Sequence, residues 1–189
     1  MEEMINYILR FGNITKQQID LIKSKVEVIH LKKGAYFSEA NKIAMQVGFL
    51  TEGVIRVCYY GKNGEEYTRC FVRENRFVVD SISFYNGTPS SEYVEAVTDC
   101  TLMIFSKNSF SELSIAIANW NDIFTRIITD ALMKKVQDSN TMLNQDATTR
   151  YLKFLELFPN VANRVPLSML ASYLGITQSS LSRIRKNVI

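Results

Sequence analysis

Apolar and polar positions alternate along this chain with two periods, and the change from one to the other happens twice. Residues 1–25 carry helical spacing: Met4, Ile8, Leu9 and Phe11 precede Gly12, and Thr15 stands where it can cap a second short helix through Ile19, Leu21 and Ile22. From Val26 to about Phe105 the period drops to two. The runs VEVIHL, QVGFL, VIRVCYY, EYTRCFV, EYVEAV and TLMIF are punctuated by Gly34, Gly53, Asn63-Gly64, Gly87-Thr88-Pro89 and Thr98-Asp99. Asn63-Gly64 between two such runs predicts a hairpin with a type I′ turn. No helical pattern of useful length separates the strands, which excludes a parallel βαβ sheet and predicts an antiparallel roll or barrel.

Around Phe110 the helical period returns. Trp120, Ile123, Phe124, Ile127, Ile128, Ala131, Leu132 and Val136 form one wide stripe, which Met142 and Leu143 extend. The pattern predicts one long, uncapped helix from Ser109 to Asn144, a length that suggests packing against a partner chain. Trp120, Ile123, Phe124, Ile127 and Ala131 are the expected dimer interface; the alternative is a helix folded back on its own β domain. Three short helices are expected after it. Tyr151, Phe154, Leu155 and Phe158 recur at helical spacing before Pro159; Leu167, Leu170, Ala171 and Leu174 follow Pro166; Leu181, Ile184 and Val188 follow Thr177, a fitting N-cap. The expected class is α+β: a β-roll with N-terminal helices over 1–108, a long helix over 109–144 and a helical domain over 145–189.

Composition narrows the chemistry. Of the 189 residues, 47% are hydrophobic and 22% charged, enough to bury a core. No apolar run approaches the length of a membrane span, and the acidic start MEEMINYILRFGN does not read as a signal peptide. Cys58, Cys70 and Cys100 form no CxxC pair and leave an odd one over, which fits a reducing cytosol and buried thiols. His30 is the single histidine, so metal, haem and most acid–base sites lack ligands; a cupin enzyme, also a β-roll, would need several. An enzyme, a cofactor and a metal are therefore not expected, and a cytoplasmic location is. The net charge of +3 is unevenly placed: residues 1–144 carry −1 and residues 145–189 carry +4, with no acidic residue after Glu156. A basic end on a neutral body is an electrostatic footprint of nucleic-acid binding.

The segment LSMLASYLGITQSSLSRIRKNV has the anatomy of a helix-turn-helix. Ala171 is small where two helices cross, Gly175 can take the left-handed turn, and Ile176, Leu181 and Ile184 pin the second helix to the first. Thr177, Gln178, Ser179, Ser182, Arg183, Arg185 and Lys186 remain as candidate DNA contacts, with Arg suited to guanine and Gln to adenine. The bland reading is a helical hairpin with a solvated basic face. The rival from another class is a ligand-binding or adaptor module that holds a protein partner through its terminal helices, and the acid-free end argues against it.

At this point the chain resembles the Crp/Fnr (catabolite activator-like) transcription regulators, and most of all their short Bacteroidetes-type members. The resemblance rests on Leu31-Lys32-Lys33-Gly34, on Thr51-Glu52-Gly53 with Val54-Ile55-Arg56-Val57, on Asn86-Gly87-Thr88-Pro89, and most specifically on Leu170-Ala171, Leu174-Gly175-Ile176 and Leu181-Ser182-Arg183-Ile184. It implies a cyclic-nucleotide-binding-like β-roll (a double-stranded β-helix), a dimerisation helix and a C-terminal helix-turn-helix. The implied partners are double-stranded DNA with a palindromic operator, a second copy of the chain, RNA polymerase and a small-molecule effector. In nucleotide-binding members an Arg holds the cyclic phosphate and a Glu takes the ribose hydroxyl. Aligned through Gly87, Ser90 stands at the Arg position, Asp80 at the Glu position and Val79 at the preceding Gly. Ser91 matches a family serine, and Arg73 and Arg76 are candidate substitutes for the missing Arg. Asp80, Ser90, Ser91, Arg73 and Arg76 are thus the candidate effector pocket, with cyclic AMP not the expected ligand. The sequence runs to Ile189, just after the expected recognition helix, and no wing or further strand is expected from these residues.

Overall fold

The computed structural model describes residues 1–143 and 145–188, without the side chains of 139–143. Two short helices, α1 (Glu2–Leu9) and α2 (Lys16–Ser24), open the chain. Thr15 starts α2 with a capping box: its hydroxyl accepts from the Gln18 N–H, and the Gln18 side chain accepts from the Thr15 N–H. The roll follows as β1 (Glu27–Leu31), β2 (Tyr36–Ser38), β3 (Gln46–Glu52), β4 (Ile55–Tyr60), β5 (Glu66–Val72), β6 (Arg76–Val78), α3 (Ser81–Asn86), β7 (Tyr93–Ala96) and β8 (Cys100–Ser106). The strands form two antiparallel four-stranded sheets, ordered β1-β8-β3-β6 and β2-β7-β4-β5. Alternating side chains from both sheets, among them Leu50, Leu102 and Ile104 of one and Ile55, Val94 and Ala96 of the other, meet in the interior of the roll.

The β4–β5 hairpin forms where Asn63-Gly64 predicts it, but its turn is not type I′. Only Gly64 of the pair has a positive φ, +85°. The Gly64 N–H donates to the Gly61 carbonyl and the Gly61 N–H to the Glu65 carbonyl. That is a longer loop closed by a left-handed glycine, the next most common hairpin solution. At Gly53 (φ +106°) glycine is required twice over, because a Cβ there would lie 2.5 Å from Cys100 Sγ.

The single helix expected from Ser109 to Asn144 is two helices. α4 (Lys107–Ala116) is capped by Ser106 and ends at Ile117, whose backbone is extended; α5 (Trp120–Leu143) begins three residues later. Ile117 is wholly buried at the break, and the turn allows Phe110 and Leu113 of α4 to share one core with α5.

The expected dimer stripe is also corrected. Trp120, Ile123, Phe124 and Ile127 are at most 2% exposed within one protomer. They lie in a cluster with Met4 and Ile8 of α1, Phe49 of β3 and Phe105 of β8. Phe110 meets Phe124 at 4.8 Å and Phe105 meets Trp120 at 5.6 Å between ring centroids. The roll and α1 supply an apolar floor, and each such side chain is worth about 1.5–3 kcal/mol when buried. Ala131 lies beyond that floor and is exposed. Beside it Leu132, Met133 and Val136 are 53%, 66% and 56% exposed. The side chains of Met142 and Leu143 lie outside the described residues. Among the described residues, no helix is long and apolar enough to cross a membrane.

Candidate nucleic-acid interface

Three helices complete the chain: α6 (Ala147–Leu157), α7 (Leu167–Leu174) and α8 (Gln178–Val188). Asp146 caps α6, its carboxylate accepting from the Thr148 and Thr149 N–H groups at 2.9 and 3.1 Å. The Thr149 hydroxyl and these backbone donors hold its carboxyl below the usual carboxylate range. Gly175 ends α7 in the left-handed conformation (φ +65°). The Ile176 N–H donates to the Ala171 carbonyl and the Gly175 N–H to the Ser172 carbonyl, the bonding of a Schellman motif. The chain then re-enters a helix at once, because the Thr177 hydroxyl accepts from the Ser180 N–H at 3.2 Å. Leu170, Ala171, Leu174 and Leu181 are buried between the helices, with Ile176 and Ile184 packed against them.

This packing sorts the candidate DNA contacts. Gln178, Ser179, Arg183 and Lys186 stand exposed on α8, and among the described residues Arg183 and Lys186 have no ion-pair partner. Thr177 is exposed but its hydroxyl serves the cap. Ser182, Arg185 and Lys186 line, with Leu167, a shallow and open surface depression. One arm of Arg185 is already engaged, Nη2 donating to Asn163 Oδ1 at 3.0 Å.

The candidate effector residues do not converge in this way. Asp80 caps α3, its Oδ1 accepting from the Ser83 N–H at 3.1 Å. Ser90 is 4% exposed and folds back on the backbone of Glu92, donating to its carbonyl and accepting from its N–H. Ser91 is exposed. Arg76 turns away toward α1, its guanidinium 5.7 Å from the Tyr7 ring; burial and the nearby Arg73 and Arg10 charges lower its pKa. Sequence reasoning missed Glu92, which pairs with Arg69 at 2.7 Å and is mostly buried. Burial raises the Glu92 pKa against the pull of Arg69 and of Lys135 on α5, with the Asp80 charge adding to the rise. Lys135 in turn donates to Cys70 Sγ at 3.9 Å. Burial also holds the Cys70 thiol up in pKa, against Lys135 and Arg69; the Cys58 thiol is raised to about 11, again by burial first. Neither is a ready thiolate.

A second missed cluster lies on the outer face of the β4–β7 pair. Arg56, 2% exposed, donates from Nε and Nη2 to Glu95 Oε2 at 3.0 and 2.5 Å and from Nη1 to Thr68 Oγ1 at 3.3 Å, and it also pairs with Glu66. Opposite charges inside the apolar runs VIRVCYY and YVEA were the available signal.

Residues 28–115, from β1 to α4, match the family model of the cyclic nucleotide-binding domain. Over most of the chain the fold is that of the Crp/Fnr regulators. A protein assigned to the Crp/Fnr family of transcriptional regulators from Eubacterium rectale is similar at 16% identity and a TM-score of 0.73, over 96% of this chain and 87% of that one. FixK2 from Bradyrhizobium japonicum gives 14% and 0.72, over 86% and 84%. CLP from Xanthomonas campestris, described as a c-di-GMP-responsive global regulator, gives 14% and 0.70, over 92% and 91%. Identities this low establish a shared fold. No curated protein matches the chain.

Proposed function

We propose that this protein is a sequence-specific DNA-binding transcription regulator of the Crp/Fnr type that works as a homodimer. The observation that carries the reading is the outer face of α8. Gln178, Ser179, Arg183 and Lys186 project from a helix pinned by a buried Leu181, at the end of a 33-residue stretch without a carboxylate side chain. Arg and Gln match base edges in a major groove, and Lys matches phosphate. The exposed Leu132, Met133 and Val136 of α5 are the apolar strip on which a second copy would pack, placing two recognition helices on half-sites about 34–36 Å apart. RNA polymerase is the partner such a regulator would address on promoter DNA.

The test is a salt-titrated binding series on duplex DNA. The wild type should bind with a log–log slope that becomes less steep by about one unit in Lys186→Ala, which loses one phosphate contact. Arg183→Ala should weaken binding to a preferred duplex by about 1–3 kcal/mol and relax the preference at one base position. A protein holding a protein partner through these helices would show no salt-dependent DNA binding, and that result would reject the proposal.

A further inference from the structure

We infer that Ser172 is a positioning residue: it fixes the register in which the helical unit sits on the β-roll by completing the free edge of β5. The DNA half of this inference rests on the function proposed above; the seat itself does not. β5 is the outer strand of the sheet β2-β7-β4-β5, and an edge strand leaves every second pair of backbone groups without a partner. Ser172, on α7, takes up one such pair. The Thr68 N–H donates to Ser172 Oγ at 2.9 Å, and Ser172 Oγ donates to the Glu66 carbonyl at 3.1 Å. One hydroxyl thus does what a neighbouring strand would do.

The apolar part of the contact does not choose a register by itself. Val54, Phe71 and Val97 of the roll lie in the same apolar cluster as Phe154, Leu170 and Leu174 of the helices. Phe71 meets Phe154 and Tyr173 at 5.9 and 5.4 Å between centroids. Such apolar contact is non-directional. The edge of β5 repeats every two residues, about 6.6–7 Å, so a hydroxyl bonded to both Thr68 and Glu66 selects one position among discrete steps. The seat is stiffened from beneath, because Arg56 grips the Thr68 hydroxyl and the Glu66 carboxylate while anchored to Glu95 on β7. At the far end Arg164 closes on Glu74 at 2.6 Å. Gln178, Arg183 and Lys186 stay exposed, so the seat orients the recognition helix without covering it.

The test uses Ser172→Ala and Ser172→Thr in the full chain, with two readouts. Without DNA, hydrogen exchange at the Thr68 amide should be about tenfold faster in Ser172→Ala, the scale of one hydrogen bond, and near wild type in Ser172→Thr, which keeps the hydroxyl. With DNA, Ser172→Ala should lower the affinity ratio between a duplex selected from a random library and an unselected one by about tenfold, with the unselected affinity unchanged and Ser172→Thr restoring the ratio. Unchanged Thr68 exchange, or faster exchange with an unchanged ratio, overturns the inference. Wild-type protein that binds neither duplex would instead remove the DNA reading and leave Thr68 exchange to decide the seat alone.

Discussion

Ser90, Asp80 and Glu92 are already engaged within the roll, which bears on the proposed effector pocket. A cyclic phosphate at Ser90 would find a hydroxyl already bonded to the backbone of Glu92 in place of a guanidinium. Losing one charged hydrogen bond costs about 1.5–3 kcal/mol, or one to two decades in affinity. The Glu92 carboxylate is taken up by Arg69, and Asp80 is spent on the cap of α3. Calorimetry should therefore find no low-micromolar binding of cyclic AMP or cyclic GMP. Tight binding of either, abolished by Ser91→Ala, would contradict this. Ser90 at the Arg position was an expectation that the resemblance supplied. The Arg69–Glu92 pair was not, because it depends on how β5 and β7 are brought together through β4.

At the scale of elements, α5 is the main lesson. Its periodicity announced a wide apolar stripe but could not say which flank meets the roll; that depended on α1 and the outer face of β3 and β8. The two flanks now predict different mutants. Ile127→Asp buries an unpaired carboxylate in the protomer core, costs several kcal/mol and should unfold the chain. Leu132→Asp changes a half-exposed position, so the protein should keep its fold and melting behaviour while sedimenting as a monomer. A dimer that survives Leu132→Asp would place the interface elsewhere, and a wild type that is monomeric at micromolar concentration would reject the dimer. The turn at Asn63-Gly64 was legible as a hairpin but not in its type, since one extra residue joins the loop.

A titration tests the link between the roll and the helices. Burial pushes the Glu74 pKa up, but the Arg164 hydrogen bond and the Gly53 N–H outweigh it, so its carboxyl lies below the ordinary value of 4.5. A depressed folded pKa means that the stabilisation is complete above 4.5 and is lost as pH falls through the folded value. The Gly53 amide, which donates to Glu74 Oε1 at 3.0 Å, should report this in a nuclear magnetic resonance titration with a midpoint below 4.5. A midpoint at or above 4.5 would contradict the contact.

For the whole molecule, the order of β-roll, long helical segment and helix-turn-helix could be read from two changes of period and from Gly175 with Leu181. The way the helical unit is seated could not. Ser172 and Phe71 carry no pattern that links residues about a hundred positions apart, and only the edge position of β5 gives Ser172 its role. The exposed polar face of α8 was legible because such residues on a short amphipathic helix need no tertiary information. Genome-wide footprinting of the protein on its own chromosome tests the central claim most directly. The account predicts discrete sites with two inverted half-sites about one helical turn apart, lost in Arg183→Ala. Recovery of DNA no different from the input, with wild type and Arg183→Ala alike, would contradict it.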